Sequence, residues 1–214
     1  MGLFSVGLVL FLGVHSLRVF AEGWRSGLQA RMGDNMFKLF YSLASLLGLV
    51  LMVYGYGLVR WDSPMLWLPP VGTRHAAALL MLVSLVLLVA AYVPHNIFKQ
   101  RLRHPMVLSV KVWALAHLLA NGRVADMLLF GGFLVWSVLV FRASRQRDRL
   151  AALAQPADAP QSLIDPQAAS QSTPEPMKPV ANHNARVILI GVVVWTLLMF
   201  GGHKWLFGVS PLGM

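Results

Sequence analysis

Of the seven histidines in this chain, two stand where an imidazole is costly to keep. His15 lies in "GVHSLR" and His117 in "WALAH", each deep within an apolar run. An ionisable side chain at membrane depth costs a few kcal/mol unless it is paired or coordinated, so it marks a functional site by default. Neutral imidazole is a good iron ligand, and one from each of two helices can clasp a flat macrocycle. The expectation is haem b with His15 and His117 as its axial ligands; the plainer reading gives each histidine one interhelical hydrogen bond. Arg18, one turn after His15, would meet a haem carboxylate or reach the headgroups. Asn121, one turn after His117, would accept from the second ring nitrogen and fix its tautomer.

The other histidines fall elsewhere. His104 precedes Pro105, which suits the first position of a helix, so His104 is expected at a helix entry facing headgroups, a carbonyl or a polar substrate. It cannot join His117: thirteen residues leave the two roughly 140° apart around a helix and about 20 Å apart along it. His75 and His203 are expected near one common face, as interfacial residues or as a second polar or metal cluster. His95 closes an apolar run, and His183 sits in a polar stretch where a solvated role is expected. The absence of cysteine excludes disulfides and thiolate metal sites.

The elements that carry these residues are membrane helices. Hydrophobic residues make up 57% of the 214, charged ones 12%, and mean hydropathy is +0.64, which is not the balance of a soluble domain. A crossing takes about 20 apolar residues, and six stretches approach this: 2–20, 37–59, 75–93, 106–120, 127–141 and 187–207. The fold class is therefore all-α, an integral membrane bundle of about six transmembrane helices. Residues 106–141 cannot be one span, because about 36 residues would run to roughly 54 Å against a core of about 30 Å. "ANGRVAD" must turn, with Asn121-Gly122 suited to left-handed backbone angles. Both arms of this hairpin look short for a full crossing. Counting rise per residue puts His15 and His117 within a few ångström of one depth.

The net charge of +10 would suggest nucleic acid in a soluble protein. Its placement argues otherwise. Twelve cations fall in alternate loops, among them Arg25, Lys38, Lys99, Arg103 and Arg142, and four fall on the opposite side. The positive-inside rule then sets those loops in the cytoplasm and both termini in the periplasm; the lipid bilayer is the expected partner and nucleic acid is not. The apolar amino terminus lacks a basic start and a small-residue cleavage site, and is expected to be a retained helix. Residues 143–185, rich in Pro, Gln, Ala and Ser, are expected to be a flexible cytoplasmic linker between a membrane domain (1–142) and a last helix with its tail (186–214).

Several motifs in consistent order, "GVHSLR", "MGDNMFKLFYSLASLLGLVLMVYGYG", "LWLPPVGTRH", "AAYVPHN", "RHPMVLSVKVWALAHLLANG" and "HKWLFGVSPL", resemble the NnrU family of bacterial inner-membrane proteins. The resemblance implies a role in denitrification, alongside nitrite and nitric oxide reductases. It extends to the plastid zeta-carotene isomerases, which implies haem-dependent chemistry with the histidines at His15 and His117. That branch can place a cysteine ligand near the second histidine, which this chain lacks. "RHPM" also resembles membrane methyltransferases that use S-adenosylmethionine, but their later Glu-Glu pair is missing here. A third reading is a non-catalytic assembly or regulatory partner of the nitrogen-oxide reductases.

Overall fold

The computed structural model of the protein describes residues 1–154 and 181–211. The described elements are α1 (Gly2–Phe20), α2 (Glu22–Met32), α3 (Asp34–Val59), α4 (Val71–Tyr92), α5 (Ile97–Leu102), α6 (Pro105–Ala120), α7 (Val124–Ala154), α8 (Ala181–Leu197), a π-helical turn (Leu198–Gly202) and α9 (His203–Phe207). Five helical stretches are long and apolar enough to cross a membrane, and α6 is a shorter apolar helix. The chain is thus a multi-pass helical membrane bundle. Its outward side chains agree: Leu43, Leu46, Leu47, Val50 and Val53 on α3 are all exposed, a surface that only lipid would cover.

The helices pack in a row. α3 lies on α1, α1 touches α7, α7 packs on α6, α6 on α4, and α4 on α8. The α1–α3 seam is set by glycines: Cβ atoms added at Gly7, Gly48 and Gly55 would collide with the backbone at Met52, Phe11 and Phe4 respectively. These three contacts define one antiparallel register. Close backbone approach through small residues is how helices associate without a hydrophobic drive between them. Phe4, Leu8 and Met52 form the core beside it. In the α4–α6 seam small residues again permit approach, with Ala77, Ala90, Ala114 and Ala116 buried, and the Ser84 hydroxyl donates to the Ser109 carbonyl (2.9 Å).

Of the two hairpin arms, α6 stays short at 16 residues and α7 does not. α7 has 31 residues, about 46 Å of helix, and its polar end carries Arg142 to Arg149 beyond the apolar part. The expected linker therefore starts later. Residues 143–154 continue α7, since no proline intervenes until Pro156, and α8 begins at Ala181 instead of after residue 185. The rest of the expected linker, 155–180, lies outside the described residues. The α6–α7 turn also differs from expectation. Asn121 is extended (φ −130°), and Gly122 is absent from the positive-φ residues, which are His95, Arg103, Gly33 and Gly208. Glycine is required at 122 for space: a Cβ there would collide with the Trp67 carbonyl. Gly122 in turn accepts from the Leu66 amide (2.8 Å) and the Pro64 carbonyl accepts from Val124 (2.9 Å). Arg123 locks this loop by donating to the carbonyls of Trp61 (2.7 Å) and Ser63 (2.9 Å).

Candidate functional site: two histidine regions on either side of α7

His15 is half-buried between α1, α3 and α7. Its Nδ1 lies 2.8 Å from the Phe11 carbonyl, which can only accept, so Nδ1 carries the proton and Nε2 keeps its lone pair. The ring meets Phe11 at 4.4 Å, Tyr41 at 5.7 Å and the edge of Trp136 at 6.3 Å between centroids. Two buried polar atoms in these same helices have no partner among the described residues: the Trp136 indole N–H and the Ser45 hydroxyl. Through the Gly48–Phe11 contact, Ser45 lies close to the level of His15. Arg18 is exposed, and its carbonyl accepts from the Arg147 guanidinium (3.3 Å).

His117 lies on another flank. Its ring stacks on Phe130 of α7, centroids 4.4 Å apart and planes 8° apart, with Trp113 edge-on at 5.2 Å. Across from it stands His203 of α9, at 6.4 Å and 25°. Asn121 does not touch the imidazole as expected. Its side chain donates to the His117 carbonyl (2.8 Å), as does its backbone amide, because the extended backbone at 121 turns the amide back onto the last helical turn. His203 is oriented instead by its own tail: Nδ1 lies 2.7 Å from the Val209 carbonyl, so Nε2 is the free acceptor.

The two principal histidines are therefore separated. Trp136 and Phe130, their respective neighbours on α7, are six residues apart, about 9 Å along the axis and roughly 120° around it. Phe133 sits between them, meeting Phe11 at 6.0 Å, Trp113 at 5.4 Å and Trp136 at 6.4 Å. His15 and His117 share no ring contact with each other among the described residues.

The remaining candidates have other partners. His104 caps α6 ahead of Pro105 as expected, and its Nε2 pairs with Asp148 of α7 (2.9 Å). Arg103 approaches the same carboxylate at 3.8 Å, in a shallow cleft of about 350 Å³ that Ala151 and Ala152 complete. His75 is exposed and shares no ring contact with His203 among the described residues. His183, expected to be solvated, pairs through Nδ1 with the Pro94 carbonyl (2.9 Å) and faces His95 at 6.3 Å, because α8 begins early enough to meet the α4–α5 corner. Sequence reasoning missed one buried pair: the Tyr56 hydroxyl donates to Asp126, which is only 6% exposed. Asp126 lay within the polar stretch read as a turn, which hid its burial. Among the described residues no three histidine, aspartate or glutamate side chains gather closely enough to hold a metal ion by themselves.

The order of these parts, from Phe4 on the first helix to the HKWLF segment on the last, is that of one family. A family model described as NnrU protein matches residues 3–211. The chain belongs to the NnrU family. No curated protein matches it, and neither does any solved structure. The NnrU match spans both halves of the row of helices, so His15, His117 and His203 all lie within it.

Proposed function

We propose that this NnrU protein is a haem b-binding protein of the bacterial inner membrane that serves denitrification, with His117 as an iron ligand. The observation that carries the reading is His117 itself: a half-buried imidazole in an apolar helix, enclosed by Trp113 and Phe130, whose ring nitrogens have no hydrogen-bond partner among the described residues. A polar ring left in that state is costly unless something coordinates it. Haem iron would supply one-electron chemistry or a binding position for nitric oxide. The protein's own part is to hold the imidazole, shield it with aromatic rings and keep water away. His15 offers a free Nε2 as well, and a chain of ring contacts through Phe11, Phe133 and Trp113 leads from it to His117.

Distribution of the cations supports an orientation with the Arg/Lys-rich ends of α1, α4 and α7 in the cytoplasm and both termini in the periplasm. Nitrite and nitric oxide reductase components are the proposed partners. The methyl-donor reading finds no support in the cleft at Arg103 and His104, since both side chains are turned onto Asp148.

The test is an absorption spectrum of the chain purified in mild detergent, oxidised and dithionite-reduced, after expression with added haemin. A b-type spectrum that His117→Ala abolishes or turns high-spin is the expected result. A wild-type protein without haem would overturn the reading.

A further inference from the structure

The short helix α2 joins α1 to α3, and its inclination follows from the glycine seam between them. With Gly7 against Met52, Gly48 against Phe11 and Gly55 against Phe4, Phe20 at the end of α1 comes level with Leu39 of α3. Gly33 stands six residues beyond that level, about 9 Å, whereas the chain from Ala21 to Gly33 runs about 18 Å as helix. The axis of α2 is therefore inclined by roughly 60° and lies across the end of the bundle. Its two breaks permit this: Ala21 leaves the helical region (φ −140°, ψ 43°), and Gly33 takes a φ of 77°, which favours glycine.

The residues of α2 sort by side. Trp24, Leu28 and Met32, each four apart, share one side, and Glu22, Ser26 and Gln29 lie on the other. No residue of α2 is buried, and Trp24 is 60% exposed. An exposed tryptophan on an inclined amphipathic helix at the end of a membrane span belongs at headgroup level. Arg31, seven residues after Trp24, returns to within about 20° of it around the axis, so a guanidinium flanks the apolar stripe.

The acids of this corner are already engaged. Glu22 pairs with Arg25 (3.1 Å), and Asp34 accepts from the Gln29 amide (2.9 Å). Arg25 also lies over Phe37, 5.6 Å from its ring centre. Arg31 and Lys38 are exposed and make no ion pair among the described residues, and Lys38 stands one residue from the level at which α1 ends.

We infer that α2 is a binding element for anionic phospholipid: Trp24, Leu28 and Met32 enter the interface, and Arg31 and Lys38 take headgroup phosphates. A zwitterionic headgroup carries its own ammonium beside the phosphate, so two uncompensated cations select a lipid of net negative charge. Each such cation is worth about fivefold in binding at an anionic surface. The inference does not depend on the haem reading.

The test uses the full chain reconstituted in bilayers of equal parts phosphatidylglycerol and phosphatidylcholine, with a bromine quencher carried by one lipid or the other. Subtracting the fluorescence of Trp24→Phe from that of the same protein with Trp24 isolates this indole. The expected result is that brominated phosphatidylglycerol quenches Trp24 several-fold more than brominated phosphatidylcholine does. Arg31→Gln with Lys38→Gln should remove the excess, and Arg101→Gln with Arg142→Gln, exposed cations of α5 and α7, should leave it. Equal quenching by the two lipids in the wild type would overturn the preference for negative charge. Trp24 unquenched by either would overturn the placement of α2 in the interface and leave its face to a protein partner. An equal loss of the excess in both double variants would overturn the local site, assigning the effect to the net charge of the whole protein.

Discussion

The α1–α3 half and the α6–α9 half each present one buried-side histidine to α7, and they are built differently. Around His15 the backbones are locked together by Gly7, Gly48 and Gly55, and the site holds one imidazole with two unpartnered donors nearby, the Trp136 N–H and the Ser45 hydroxyl. Around His117 a second histidine arrives from α9, which reaches its place through α8 on α4 and a π-helical turn. The comparison teaches that depth alone does not decide which histidines adjoin. Two histidines of apolar helices can be kept apart by one aromatic-rich helix, while a histidine near the end of the described chain is brought beside one of them.

The largest expected effect breaks the rigid half. Gly55→Leu forces a side chain into the backbone at Phe4, and since neither backbone can yield without separating the seam, a loss of about 3 kcal/mol or more is expected. Thermal unfolding in detergent would show it. A leucine tolerated without loss would mean that α1 and α3 are not in the register described.

Next comes the buried pair at the end of α3. Tyr56→Phe leaves Asp126 without its donor, at a cost of about 1–3 kcal/mol. The double variant Tyr56→Phe with Asp126→Asn should recover part of that loss, because the uncompensated carboxylate is then gone. Equal stabilities of single and double variants would show that the pair does not form.

Trp136→Phe sharpens the comparison from the other side. The indole N–H is buried and unpartnered, and deleting such a donor is neutral or stabilising by up to about 1 kcal/mol. A loss well beyond the packing cost of the smaller ring would mean that the N–H has a bound acceptor, and that the His15 region is a site in its own right.

Much of this arrangement was legible in the residues. Apolar run length gave the five long apolar helices and the shorter α6, Pro105 the start of α6 and the polar "ANGRVAD" the α6–α7 turn. His15, His117 and His203 were each recognisable as candidates from type and position. Which of them adjoin was not, because that depends on how the helices are rotated, and rise per residue gives depth without azimuth. Nor could the sequence alone show that Asn121 turns onto a carbonyl, or that Asp126 is buried under Tyr56, since both depend on the loop from Trp61 to Pro70 folding over the turn. The basic, proline-free stretch after Phe141 was compatible with either linker or helix. Only the structure shows α7 continuing.

The smallest expected effect concerns how α8 is held at the basic end. The Asn184 side chain accepts from the Ile97 amide (2.8 Å), and the Trp195 indole donates to the Ala78 carbonyl farther along α8 (2.8 Å). Gly191 lies so close to Val86 that the helices meet over a broad contact as well. Loss of one tether among several should cost only about 0.6 kcal/mol, the average for an interhelical hydrogen bond in a membrane protein. Asn184→Ala is therefore expected to lower the unfolding temperature in detergent only slightly, because the Trp195 bond and the Gly191–Val86 contact remain. A loss as large as that expected of Gly55→Leu would show that this one tether, and not the broad packing of α8 on α4, holds the α6–α9 half together.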